Sequence, residues 1–245
     1  MNALLAVLRK DLALEGRSKE VLSGAVFFAA LTLLILGFAL GPDSERLRAA
    51  GPGVLWVAVA FASVLAAGRA WTSEQESDAL EGLLSYPVPL ESVYLGKLLA
   101  NLALMLGLCV IIVPLAMLMY GSPVPPACVD PPLSCPSGVN YTLGLPLERL
   151  PLFLGVLFLG VLGFSVISTF YGALTVNLRA KEALLPVLMF PILVPVVLGA
   201  VRGTVLLGSS GPLSSELWTW VGLLLVFDVV YLGVASLAFP AAVEG

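Results

Sequence analysis

The sequence predicts an all-α integral membrane protein with six transmembrane helices, and three observations carry that prediction. Mean hydropathy is +1.04, with 59% hydrophobic and only 11% charged residues; a soluble globular domain needs far more charge to cover its surface. Apolar runs fall at about 21–40, 53–70, 98–120, 151–176, 183–201 and 217–240. Each is long enough to cross a hydrocarbon core of about 30 Å as a helix, which takes about 20 residues. Little chain is left over: the longest polar gap, 121–150, is proline-rich and too short for a core of its own. Residues 1–245 therefore read as a single transmembrane domain solvated by the lipid bilayer.

Residues 1–20 precede the first span and read as a short interfacial helix over 3–14. On a 100° wheel Leu4, Leu5, Val7, Leu8, Leu12 and Leu14 share one half, with Arg9, Lys10 and Arg17 opposite. Asp11 and Glu15 interrupt the apolar side, which suits a helix packed on protein better than a free-standing anchor. A plain basic segment beside the membrane is the simpler alternative. The first apolar run starts at Val21, is a full span long and has no small-residue cleavage site behind it, so no cleavable leader is expected.

Between the second and third spans lies the stretch WTSEQESDALEGLLSYPVPLESVYLGK, residues 71–97. It holds five of the sixteen acids: Glu74, Glu76, Asp78, Glu81 and Glu91. On a helix Glu74, Asp78 and Glu81 form one stripe, with Leu80, Leu83 and Leu84 on the other side, and Tyr86-Pro87-Val88-Pro89 stops the helix. Like charges at this spacing repel by a few tenths of a kcal/mol per pair, roughly, and a basic partner surface would remove that cost. The alternative is a solvated loop that balances Arg69 and Lys97.

The outward gap carries Cys128 and Cys135 around VDPPLS, close enough in sequence to close a small disulfide loop on an oxidising side. A metal pair is the rival reading, but the sequence offers no histidine to complete it. Cys109, inside the third span, reads as a small buried hydrophobe. Span five contains Pro186, Pro191 and Pro195, and each removes a helical hydrogen bond, so this helix is expected to be bent or locally unwound. That is either a static kink or a flexible wall of a pathway. Near the middle of span six stands Asp228. A carboxylate at that depth is expensive and should face the bundle interior as a packing or pathway residue.

Charge sets the orientation. Arg9, Lys10, Arg17, Lys19, Arg69, Lys97, Arg179 and Lys181 fall on one side, against Arg46, Arg48, Arg149 and Arg202 on the other. Eight against four puts both termini and the 71–97 stretch in the cytoplasm. The net charge of −4 and scattered basic residues give no footprint for nucleic acid. Without histidine the chain lacks the commonest general base, metal ligand and axial haem ligand. No paired carboxylates, metal cluster or nucleophile–base set converges, so no catalytic residue and no cofactor bound by this chain is expected. No G-x-x-x-x-G-K-[ST] motif occurs either.

The stretch GPGVLWVAVAFASVLAAGRAWTSEQESDALEGLLSYPVP, residues 51–89, resembles the second span and cytoplasmic loop of the CcmB family. The matching residues are Trp56, Ala58, Phe61-Ala62-Ser63, Arg69, Glu74, Leu80, Glu81, Leu83, Pro87 and Lys97. GFSVISTFYGALTVNLRAKEALLPVL and FPILVPVVLGA fit as well, while the outward loop with its cysteines has no counterpart. The resemblance implies a type-2 ABC exporter-like fold and the permease subunit of the haem exporter of cytochrome c maturation, in the bacterial inner membrane. It further implies a coupling helix in the 71–97 loop that docks on an ABC ATPase subunit through Glu74, Asp78, Leu80, Glu81, Leu83, Leu84 and Pro87. ATP would then be bound by that partner, and haem would be the substrate. Further implied partners are a second copy of the chain, a haem-handling membrane protein with a small tether peptide, and a periplasmic haem chaperone. Trp56 and Arg69 join Pro186, Pro191, Pro195 and Asp228 as pathway or gating candidates. Two other functions fit the hydropathy: an ABC exporter permease for a lipid, glycan or drug-like substrate, and a proton-coupled carrier using Asp228.

Overall fold

The computed structural model describes residues 3–18, 20–76, 89–121, 141–142, 145–146, 149–175, 181–208 and 213–244. In chain order they form α1 (Ala3–Ser18), α2 (Glu20–Leu40), α3 (Ser44–Glu76), α4 (Leu90–Tyr120), the strands β1 (Tyr141–Thr142) and β2 (Leu145–Pro146), α5 (Leu150–Thr175), α6 (Lys181–Gly208) and α7 (Ser215–Glu244). Six helices, α2 to α7, are long and apolar enough to cross a membrane. The protein is an all-α multi-pass membrane protein. The two short strands pair antiparallel, Tyr141 opposite Pro146, within the gap before α5.

Local chemistry explains where the helices start and stop. Gly41 takes a left-handed φ of 76° just after α2, and its N–H reaches the Phe38 carbonyl at 3.2 Å, the αL ending that glycine favours. Asp43 then caps α3, its Oδ1 accepting the backbone N–H of Glu45 at 3.0 Å and of Arg46 at 3.4 Å. Pro89 stands at the N-cap of α4 with Glu91 in the first turn, where a carboxylate meets the positive end of the helix dipole.

α3 and α5 form the centre. α3 packs on α2, α4, α5 and α6, and α5 packs on α3, α4, α6 and α7. Glycines let these helices close: a Cβ at Gly51 of α3 would lie 2.9 Å from Tyr120 of α4, and one at Gly203 of α6 would lie 3.1 Å from Val156 of α5. The peripheral helices α2 and α7 keep large apolar side chains such as Phe27, Phe38, Val226 and Leu237 exposed, as a lipid-facing surface requires.

Two expectations are narrowed here. The acidic stretch reads from sequence as a short helix of its own; its residues 71–76 continue α3 without a break, and residues 77–88 lie outside the described residues. Nothing in RAWTSEQE is a strong helix breaker, and α3, at 33 residues, extends beyond its apolar window Glu45–Ala67. Of the two expectations for span five, bent or locally unwound, the second falls away: α6 is one continuous helix through Pro186, Pro191 and Pro195. Its buried side is the stripe Met189, Leu193, Val196 and Ala200. Pro191 and Pro195 sit on the opposite side, so the missing hydrogen bonds fall away from the packed core.

Candidate functional site

The end of the bundle that carries the acidic stretch is built around α1. This helix runs along α4 and barely touches its sequence neighbour α2. Its contact with α4 is close because Gly96 has no side chain: a Cβ there would lie 2.9 Å from the Val7 Cβ and 3.0 Å from the Leu4 carbonyl. The next residue of α4, Lys97, 4% exposed, places its Nζ 3.3 Å from Asp11 Oδ2. Lys10 reaches Asp11 Oδ1 at 3.4 Å. Glu15 Oε1 accepts the backbone N–H of Leu22 at 2.8 Å, capping the start of α2. The two acids that interrupt the apolar side of α1 are therefore its attachments to α4 and α2. Leu5, Leu12 and Leu14 remain exposed on the same helix.

Within the spans, polar side chains join the central helices. Trp56 of α3 is fully buried and donates its Nε1–H to Thr204 Oγ1 of α6 at 3.0 Å. Thr204 can accept because its own hydroxyl proton goes to the Ala200 carbonyl at 2.8 Å. The indole stacks on Phe164 at 6.1 Å between centroids and lies over Gly160, where a Cβ would come within 2.4 Å of the ring. Nearer the acidic end, Asn101 of α4 donates to Ser168 Oγ at 2.7 Å and Thr169 Oγ1 at 3.1 Å of α5. Tyr94 adds a hydroxyl bond to the Val166 carbonyl at 3.2 Å. Asp228 is 3% exposed on α7, against Gly163 of α5.

The candidates named from the sequence fall as follows. Trp56 and Asp228 are buried in the bundle but on different contacts. Pro191 is exposed, and Pro186 and Pro195 are half-buried. The backbone at Glu74 and Arg69 is helical, in the last part of α3. Asp78, Leu80, Glu81, Leu83, Leu84 and Pro87 lie outside the described residues, as do Cys128 and Cys135. Cys109 is a buried thiol.

Thr204, Gly160, Gly163, Asn101, Ser168 and Thr169 were not picked out from the sequence. Some signal for them existed. Asn101 is an amide inside an apolar run, and Ser165, Ser168 and Thr169 recur at helical spacing on one side of the next span, where hydrogen bonds across helices are expected. Nothing local marks which glycine underlies an indole.

Among the described residues no three of His, Cys, Asp and Glu converge on a point that could hold a metal ion. The buried side chains of Trp56, Tyr94 and Asn101 join one helix to another. This is the architecture of an ABC-permease-like membrane subunit. The chain belongs to the CcmB family, whose profile, described as "CcmB protein", matches residues 2–127 and 136–245. Its relatives include proteins named "Heme exporter protein B". The one from Pseudomonas aeruginosa is 30% identical over 198 residues, covering 80% of this chain and 78% of the relative. That from Paracoccus denitrificans is 29% identical over 190 residues, 78% and 77% of the two chains. The Bradyrhizobium diazoefficiens protein is 29% identical over 207 residues, 83% and 82%.

Proposed function

We infer that this chain is the non-catalytic membrane permease subunit of a CcmB-type haem exporter, an ABC transporter that serves cytochrome c maturation. The observation that carries this reading is the family match, which spans nearly all of the chain and agrees with the six spans. Energy enters from outside the chain, since its sequence has no phosphate-binding loop. An ABC ATPase subunit binds ATP and docks on the acidic stretch through Glu74, Asp78 and Glu81, with Leu80, Leu83, Leu84 and Pro87 supplying the apolar contact. The bias of Lys and Arg supports cytoplasmic termini in a bacterial inner membrane. Six helices make half a transporter, so two copies enclose a path along their shared axis.

Haem is the substrate class. The chain has no histidine to hold its iron, which supports ligation on a haem-handling membrane partner with a small tether peptide, and delivery to a periplasmic haem chaperone. Reversing Glu74, Asp78 and Glu81 to lysine tests the docking. The expected result is loss of the ATPase from the purified complex with the membrane subunit still folded and inserted. Retained ATPase and normal c-type cytochrome yield would contradict it. Single reversals should do little, because an exposed ion pair contributes only about 0–1 kcal/mol.

A further inference from the structure

Asp228 sits halfway along the Ser215–Pro240 span and is 3% exposed. The other buried residues of α7 are Leu217, Leu224, Ala235 and Phe239, all apolar. Across the contact stands Gly163, halfway along α5. A Cβ at Gly163 would lie 2.7 Å from Asp228 Oδ1 and 3.1 Å from the methyls of Val196 on α6. The carboxyl is thus pressed against bare backbone of α5, beside Val196, where α5, α6 and α7 meet. Neither of its oxygens has a hydrogen-bond partner among the described residues.

A buried polar group without a partner weakens the packing that holds it, in either protonation state, because it has given up water for nothing. A leucine at 228 would continue the apolar stripe and strengthen the same contact. The neighbouring contacts show what this chain does elsewhere: Trp56 finds Thr204, and Asn101 finds Ser168 and Thr169. We propose that the Asp228–Gly163 contact is a release point between α5 and α7, a deliberately weak joint at which the two helices part and the carboxyl reaches water. α7 suits such a movement, because most of its surface lies free of the rest of the bundle. That the parting belongs to a transport cycle rests on the permease reading above; the weakness of the joint does not.

Amide hydrogen exchange along α7, measured on the full chain in lipid nanodiscs, tests the joint itself. Asp228→Leu should slow exchange around residue 228 on the order of tenfold, as a mended packing defect does. Asp228→Asn keeps an unpaired polar group and should exchange near the wild-type rate. Exchange in Asp228→Leu as fast as in the wild type would overturn the proposal. Cells carrying Asp228→Leu as their only copy then test its use: c-type cytochrome yield should fall at unchanged abundance of this chain and its complex, while Asp228→Asn keeps most of it. Slowed exchange with full yield would overturn the role in the cycle. A strain lacking the chain separates the two failures, since full yield there would mean that the permease reading had failed, with the exchange result still deciding the joint.

Discussion

Trp56 shows how one side chain ties three helices. Its indole belongs to α3, bonds to α6 through Thr204 and rests on Gly160 of α5. The site therefore tolerates no added atom. Gly160→Ala should destabilise the protein by about 1–3 kcal/mol through overpacking, read as a lower melting temperature in detergent. Thr204→Val removes the hydroxyl that accepts from the indole and donates to the Ala200 carbonyl, and should cost about 1–2 kcal/mol. An unchanged melting temperature in Gly160→Ala would mean that the indole is free to move. The sequence made Trp56 legible as a residue of interest but not its role, because its partner lies 148 residues away and Thr204 looks like any small residue of an apolar run.

At the scale of elements, α1 is the instructive case. Its wheel predicted an amphipathic helix, and the acids that interrupt that wheel turn out to hold the helix in place. Asp11 is a partner of a lysine that is 4% exposed, so Asp11→Ala should cost about 2 kcal/mol or more by removing a carboxylate that balances a buried charge. Lys97→Met in the same background should return part of the loss, and thermal unfolding of the single and double variants measures the coupling. Purely additive losses would show that the pair holds nothing. The spans were legible from apolar length alone, since lipid leaves few alternatives. The continuation of α3 to Glu76 was not, because a change from apolar to polar residues marks the end of a span but not the end of a helix. The prolines of α6 leave either a bend or an unwound turn open from sequence, and the helix stays continuous with Pro191 and Pro195 off its packed side. Before α5, the expected bridge between Cys128 and Cys135 lies outside the described residues and has a simple check. Both thiols should resist alkylation until a reductant is added, and removing the bridge should cost about 2–3 kcal/mol with export unaffected. Equal labelling with and without reductant would show free thiols.

At the scale of the whole molecule, function depends on what the chain lacks as much as on what it has. Trp56 ties α3 to α6, Asn101 and Tyr94 tie α4 to α5, and Asp11–Lys97 ties α1 to α4, while the sequence carries no G-x-x-x-x-G-K-[ST] motif. On the proposed reading such a subunit works in a complex with an ATPase, and the acidic stretch is its proposed docking surface. The direct measurement is covalent haem in c-type cytochromes, stained in membranes of cells from which this chain alone has been removed. The account predicts loss of c-type haem staining with b-type cytochromes retained, and recovery when the wild-type chain is returned. Undiminished c-type cytochromes in the deletion strain would contradict it.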